Sequence, residues 1–142
     1  MTRVDFYVLA NAGEAERKRF ACRLAEKAYR LKHSVHVSID DERQAAELDE
    51  LLWTFRDGSF VPHEVVKADQ QDIESPVTIG RSPPGGKPTE LVINLGRDIP
   101  EDSGELARIA EIVSDDEASR GLSRQRYARY RELGHTLETH KL

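Results

Sequence analysis

The chain has one cysteine, one methionine and one tryptophan among 142 residues, and its aromatics reach only 6%. A lone Cys22 cannot close an internal disulfide, which suits a reducing compartment. No histidine stands at helical spacing from it, so it reads as a small, half-buried apolar residue rather than a catalytic thiol. The histidines, His33, His36, His63, His135 and His140, share no metal-type spacing. CxxC, HExxH and clustered acid–His patterns are also missing, and the expectation is a chain without a structural or catalytic metal. Apolar runs stop far short of the ~20 residues that cross a bilayer. Met1-Thr2-Arg3 leads straight into strand-like sequence and does not read as a signal peptide, so the expectation is neither secretion nor a membrane but a cytoplasmic location.

What the chain has in quantity is charge. Lys and Arg number 21 against 26 Asp and Glu, for a net −5, and charged residues make up 33% against 38% apolar. At this length the expectation is one domain over residues 1–142, able to bury roughly 70% of its unfolded surface without staples.

Periodicity then sets the organisation. Val4 to Leu9 is β-branched and aromatic, and Asn11-Ala12-Gly13 stops it, which predicts a first strand. Glu14 to His33 places Phe20, Ala21, Leu24, Ala28 and Leu31 on one helical face. Ser34 to Ile39 alternates as a second strand. Asp40 or Asp41 can cap a second helix whose apolar stripe is Ala45, Leu48, Leu52 and Phe55. Strand, helix, strand, helix is the order that parallel α/β layering demands, because parallel strands need a crossover. Ser59 to Asp72 reads as an ordered loop or short edge element, and Pro76 to Ile79 and Leu91 to Leu95 as strands, the latter central. Asp98 to Glu117 is acidic around the apolar stretch Ile109 to Val113. A last helix runs from about Asp116 to Leu133 and stops at Gly134. The expected fold is a three-layer α/β domain, a mostly parallel sheet flanked by helices, Rossmann-like without a dinucleotide site.

Catalytic and cofactor signatures are missing. Gly80 to Pro88 approaches a phosphate loop, but it carries Gly86 and Lys87 where Lys and Ser or Thr belong, and strand-like sequence follows. A flexible connection between two strands is expected there, with no cofactor. Asn11-Ala12-Gly13 lacks the glycine fingerprint, and no serine sits in G-x-S-x-G. Asp5 is one acid in an apolar run and reads as a strand-end or edge residue.

Two segments rise above this background. Leu48 to Phe55 and then Ser59-Phe60-Val61-Pro62-His63 bring the tryptophan together with two phenylalanines where a helix ends. Either Trp53 and Phe55 cap the core, or Trp53 and Phe60 beside Pro62 form a patch that another protein covers. The second segment, Arg120 to Arg131, holds Arg120, Arg124, Arg126, Arg129 and Arg131, a reversal of sign in an acidic chain. On a helix Arg120, Arg124, Tyr127 and Arg131 fall within about 60° of one another, while Arg126 points elsewhere. The stripe is either a solvated face balancing the acidic run, or a set of guanidinium forks for an acidic peptide or for nucleic-acid phosphate. Net negative charge argues against broad non-specific DNA binding.

With Asp5-Phe6-Tyr7, these segments resemble the chi subunit family of bacterial DNA polymerase III. The matching features are the helix end at Leu52-Trp53, S-F-x-P-H over residues 59–63, and R-x-R-Y-x-x-Y-R-x-x-G over residues 124–134. The resemblance implies a clamp-loader accessory protein with no catalytic activity of its own. It further implies pairing with the psi subunit through Trp53, Phe60, Pro62 and His63. Arg120, Arg124, Tyr127 and Val113 would grip the acidic C-terminal tail of single-stranded-DNA-binding protein, so that DNA is reached only indirectly. Where the family can carry Lys, this chain has Arg120, a planar fork in place of a point donor. Between residues 65 and 90 no site is carried over. Two other readings stay open: a small α/β enzyme or nucleotide binder, and a protein whose arginine helix touches nucleic acid directly.

Overall fold

In the computed structural model, which describes residues 2–67, 70, 72–84, 88–101 and 103–142, the opening segment forms strand β1 (Arg3–Val8). Helix α1 (Glu14–Arg30), strand β2 (Val35–Ser38) and helix α2 (Glu42–Thr54) follow. Of the two candidate caps for α2, Asp41 is used: its carboxylate accepts the Gln44 backbone N–H at 2.9 Å. A short edge strand β3 (His63–Val65) comes next, then β4 (Val77–Gly80) and β5 (Leu91–Asn94). The Gly80–Pro88 connection therefore joins two strands, although residues 85–87 lie outside the described residues. After a 3₁₀ turn at Ser103–Glu105, the apolar stretch inside the acidic run becomes strand β6 (Arg108–Val113). Helix α3 (Glu117–Glu132) is started by Asp116, which accepts the Ser119 N–H at 2.7 Å. Beyond it the chain turns at Gly134, whose φ of +82° suits a residue without Cβ.

A last strand, β7 (Thr136–Lys141), is one that periodicity does not announce, since Leu137 is its one apolar residue. It forms because β1 offers a complete row of partners, from Arg3 opposite Thr136 to Val8 opposite Lys141. The sheet runs β3-β4-β2-β5-β6-β1-β7, and every pairing is parallel.

Strand alternation divides the interior in two. On one face Val35, Val37, Leu91, Ile93, Ala110 and Ile112 pack against α1 and α2 through Ala21, Ala25, Leu48 and Leu52. On the other, Val4, Phe6, Ile109 and Val113 pack under Tyr130 of α3. This is the three-layer α/β architecture the periodicity predicts.

Two buried groups differ from expectation. Cys22 is fully buried rather than half-buried, and burial pushes its thiol up to about 12. Asp5 is neither a strand end nor an edge residue, because β1 is flanked by both β6 and β7. Its carboxylate is wholly covered and accepts from Arg108 Nε at 2.8 Å, Arg3 Nη2 at 3.1 Å and His140 Nε2 at 2.9 Å. Burial alone would raise its pKa; the bonds from His140, Arg3 and Arg108 outweigh that and hold it low.

Candidate functional site

The aromatic surface is built by the end of α2. Phe55 packs on the main core, as one reading of the sequence had it, but Trp53 does not: it is 50% exposed. Gly58, at φ +75°, helps turn the chain back, and Phe60, 65% exposed, lies over Trp53 with ring centroids 5.5 Å apart. Buried Glu26 of α1 holds this turn in place by pairing with Arg56 at 2.8 Å and accepting the Ser59 hydroxyl. His63 is buried beneath the patch. Its ring sits 4.6 Å from Trp53, and its nitrogens face the carbonyls of Val61 at 2.6 Å and Asp49 at 2.9 Å. Pro62 is half-buried. The structure thus presents Trp53 and Phe60 outward and makes His63 their support.

The second surface is the outer side of α3. Arg120 and Arg124 are exposed, with Arg120 also paired to Asp115. Tyr127 is half-buried, its ring 5.3 Å from Phe6, and it packs on the cluster that contains Val113. Two guanidinium groups therefore stand along the helix from an aromatic ring seated on apolar residues. Val113 itself is buried and serves as floor.

Arg126 has a different function from its neighbours. It is buried, and its Nε donates to Glu111 Oε1 at 3.0 Å while its Nη1 donates to the Arg97 carbonyl at 3.1 Å. Glu111 Oε2 accepts from the Tyr130 hydroxyl at 2.6 Å and from Asn94 Nδ2 at 2.7 Å. Burial raises the Glu111 pKa against the pull of Arg126 and the hydrogen bonds from Tyr130 and Asn94. The sequence reading overlooked this network. Its signal was an acid between the apolar residues of a strand, with Arg126 and Tyr130 four residues apart on one helical face.

Among the described residues, Asp5, Glu138 and His140 bring potential metal-ligating atoms within 4.8 Å of one another. The Asp5 carboxylate there already accepts from two guanidinium groups, whose charge repels a metal cation.

The model of the family described as "DNA polymerase III chi subunit, HolC" matches residues 1–138. The DNA polymerase III subunit chi of Pseudomonas aeruginosa is 42% identical over 142 residues, covering 100% of this chain and 98% of the relative. Its counterpart in Haemophilus influenzae is 32% identical over 139 residues, covering 95% and 94%, and that of Escherichia coli 27% over 156 residues, covering 98% and 97%. Among solved structures, T4 UvsW shares the fold with a TM-score of 0.66 at 9% identity, over 99% of this chain and 41% of that longer one. By sequence over nearly its whole length, the chain belongs to the DNA polymerase III chi subunit family.

Proposed function

We propose that the chain is a non-catalytic adaptor of the bacterial DNA polymerase III holoenzyme, working in the cytoplasm at the replisome as a single-domain protein. The Trp53–Phe60 surface, with Pro62 at its margin and His63 beneath, takes the psi subunit and so joins the clamp loader. Arg120, Arg124, Tyr127 and Val113 take the acidic C-terminal tail of single-stranded-DNA-binding protein, and DNA is met through that protein. Family membership supports the setting. The observation that carries the tail site is the α3 surface, where exposed Arg120 and Arg124 adjoin a half-buried Tyr127 seated on the Val113 cluster. Carboxylates of a tail would meet the guanidinium forks, and its apolar residues the aromatic face. No nucleophile, base or cofactor is needed for this.

The test is calorimetric titration of an acidic tail peptide ending in an apolar residue, at two salt concentrations. Arg124→Ala is expected to weaken binding about tenfold or more and to change stability by about 0.5 kcal/mol or less, as surface substitutions do. Affinity should fall with salt, because exposed pairs are screened over ~8–10 Å. Arg126 is unsuitable as the comparison, since it sits in a buried ion pair. Arg129→Ala, exposed on another side of the helix, should bind nearly as the parent does. Equal affinities for parent and Arg124→Ala would remove the site. Peptide binding without nucleotide or DNA separates the adaptor from both rival readings.

A further inference from the structure

A crevice lies at the carboxyl ends of β2, β4 and β5, lined by none of the residues assigned to the two surfaces above. From β2 the chain leaves through α2 toward β3, over the face that holds α1 and α2. From the neighbouring β5 it leaves in the opposite direction toward β6, with Ile99 and Leu106 of that connection packed on the α3 face. Where two adjacent parallel strands part this way, a crevice opens beyond their ends, and α/β sheets bind ligands there. In this chain the crevice is a cavity of about 390 Å³, within the ~300–1,000 Å³ typical of small-molecule sites.

Its walls include Ser38, Asp40, Arg81, Pro83, Asp98 and Ile99. Ser38 is 5% exposed, and among the described residues its hydroxyl is the one buried side-chain N or O atom without a hydrogen-bond partner. Buried hydroxyls are normally paired, so this one awaits a partner from outside the chain. The rim is fixed in advance. Arg81 Nε donates to the Asp40 carbonyl at 2.9 Å, and the Asp40 carboxylate accepts the Arg97 N–H at 3.0 Å. Asn94 Nδ2 donates to the Asp98 carbonyl at 3.0 Å.

The charges select the ligand class. Asp40, Asp98 and Glu101 offer carboxylates against the single guanidinium of Arg81, and the adjacent start of α2 is already capped by Asp41. A phosphate finds little favour there. Hydroxyl donors suit the carboxylates and the Ser38 oxygen, and a flat ring suits Pro83 and Ile99. We propose that this crevice binds a small uncharged molecule with a ring and adjacent hydroxyls, of the size and chemistry of a ribonucleoside.

The probe is adenosine, titrated into the full chain and followed by amide chemical shifts, with adenosine 5′-monophosphate as its charged comparison. Saturable shifts are expected at residues 38–40, 81–82 and 94–99, with weaker binding of the monophosphate. Ser38→Ala and Arg81→Ala should each weaken adenosine binding at least fivefold while leaving the acidic-peptide titration at α3 unchanged, which also reports an intact fold. The proposal is overturned by an absence of saturable shifts, by tighter binding of the monophosphate, or by variants that bind adenosine as the parent does. It is equally overturned if Ser38→Ala raises thermal stability without affecting adenosine, since the hydroxyl then merely holds a water.

Discussion

His36 shows how one side chain ties stability to pH. It is fully buried in β2, with Nε2 3.1 Å from the Gly80 carbonyl and Nδ1 2.7 Å from the Thr78 hydroxyl. Nε2 donates to the carbonyl, so Nδ1 accepts from the hydroxyl, and the neutral ring satisfies both. Burial lowers its pKa to about 4 from 6.5. Below pH 6.5 the unfolded chain takes up a proton that the folded chain refuses, so stability falls as pH drops toward 4. At about 1.4 kcal/mol per unit the loss is roughly 3 kcal/mol. Glu111, raised by burial, acts in the opposite sense, since its share of stability grows as pH falls through its folded pKa. The measurement is therefore a difference: urea unfolding of parent and His36→Gln between pH 7 and 4. The variant should lose less stability across that interval, and parallel curves would refute the assignment. Cys22, with its thiol pushed up to about 12 inside α1, should stay unlabelled by a thiol reagent until the chain unfolds. Rapid labelling of the native protein would contradict this.

At the scale of elements, α3 is attached to the sheet by two unlike means. Tyr127 and Tyr130 set their rings against Phe6 at 5.3 and 6.0 Å, which is apolar packing. Arg126 and Tyr130 also close on Glu111 of β6, which Asn94 of β5 holds from its other side. Removing one member of a buried pair strands the other, at a cost of about 3–5 kcal/mol. Arg126→Ala is therefore expected to lower the unfolding midpoint markedly, whereas Arg124→Ala, two residues away, should not. Combining Arg126→Met with Glu111→Gln keeps an acceptor for Tyr130 and Asn94 while removing both charges, and should restore much of the loss. Denaturant titration of the three variants checks this; a mild Arg126→Ala would show that the pair contributes little.

For the whole molecule, the two exposed surfaces are separate in structure and should be separable in function. Trp53 and Phe60 stand at the end of α2, which packs on one face of the sheet, and the arginine stripe belongs to α3 on the other. Phe60→Ala removes a ring that is 65% exposed, so folding should be nearly unchanged. Loss of a central aromatic from an interface costs ~2 kcal/mol or more, so binding to the proposed psi partner should weaken at least about thirtyfold. Tail-peptide binding should stay as in the parent. Calorimetry with each partner in turn checks both halves, and a variant that unfolds or loses both partners would contradict separable surfaces.

Local sequence determined much of this protein. Alternating and helical periodicities placed the early strands and all three helices, Asp40 or Asp41 and Asp116 marked helix starts, and Gly134 marked a stop. These features act over a few residues, through backbone geometry and side chains that share one face. The clustering of Trp53 with Phe60 and the stripe of Arg120, Arg124 and Tyr127 were legible for the same reason. What only the tertiary structure decided depends on which strands become neighbours. Asp5 is buried because β7 adds beyond β1, and β7, nearly without apolar residues, exists because β1 offers it an edge. Arg126 departs from the other arginines because Glu111 lies under it. Ser38 borders a crevice because β2 and β5, far apart in the chain, lie side by side and then part. Periodicity says which way a side chain points relative to its own element, and nothing about which element it will meet there.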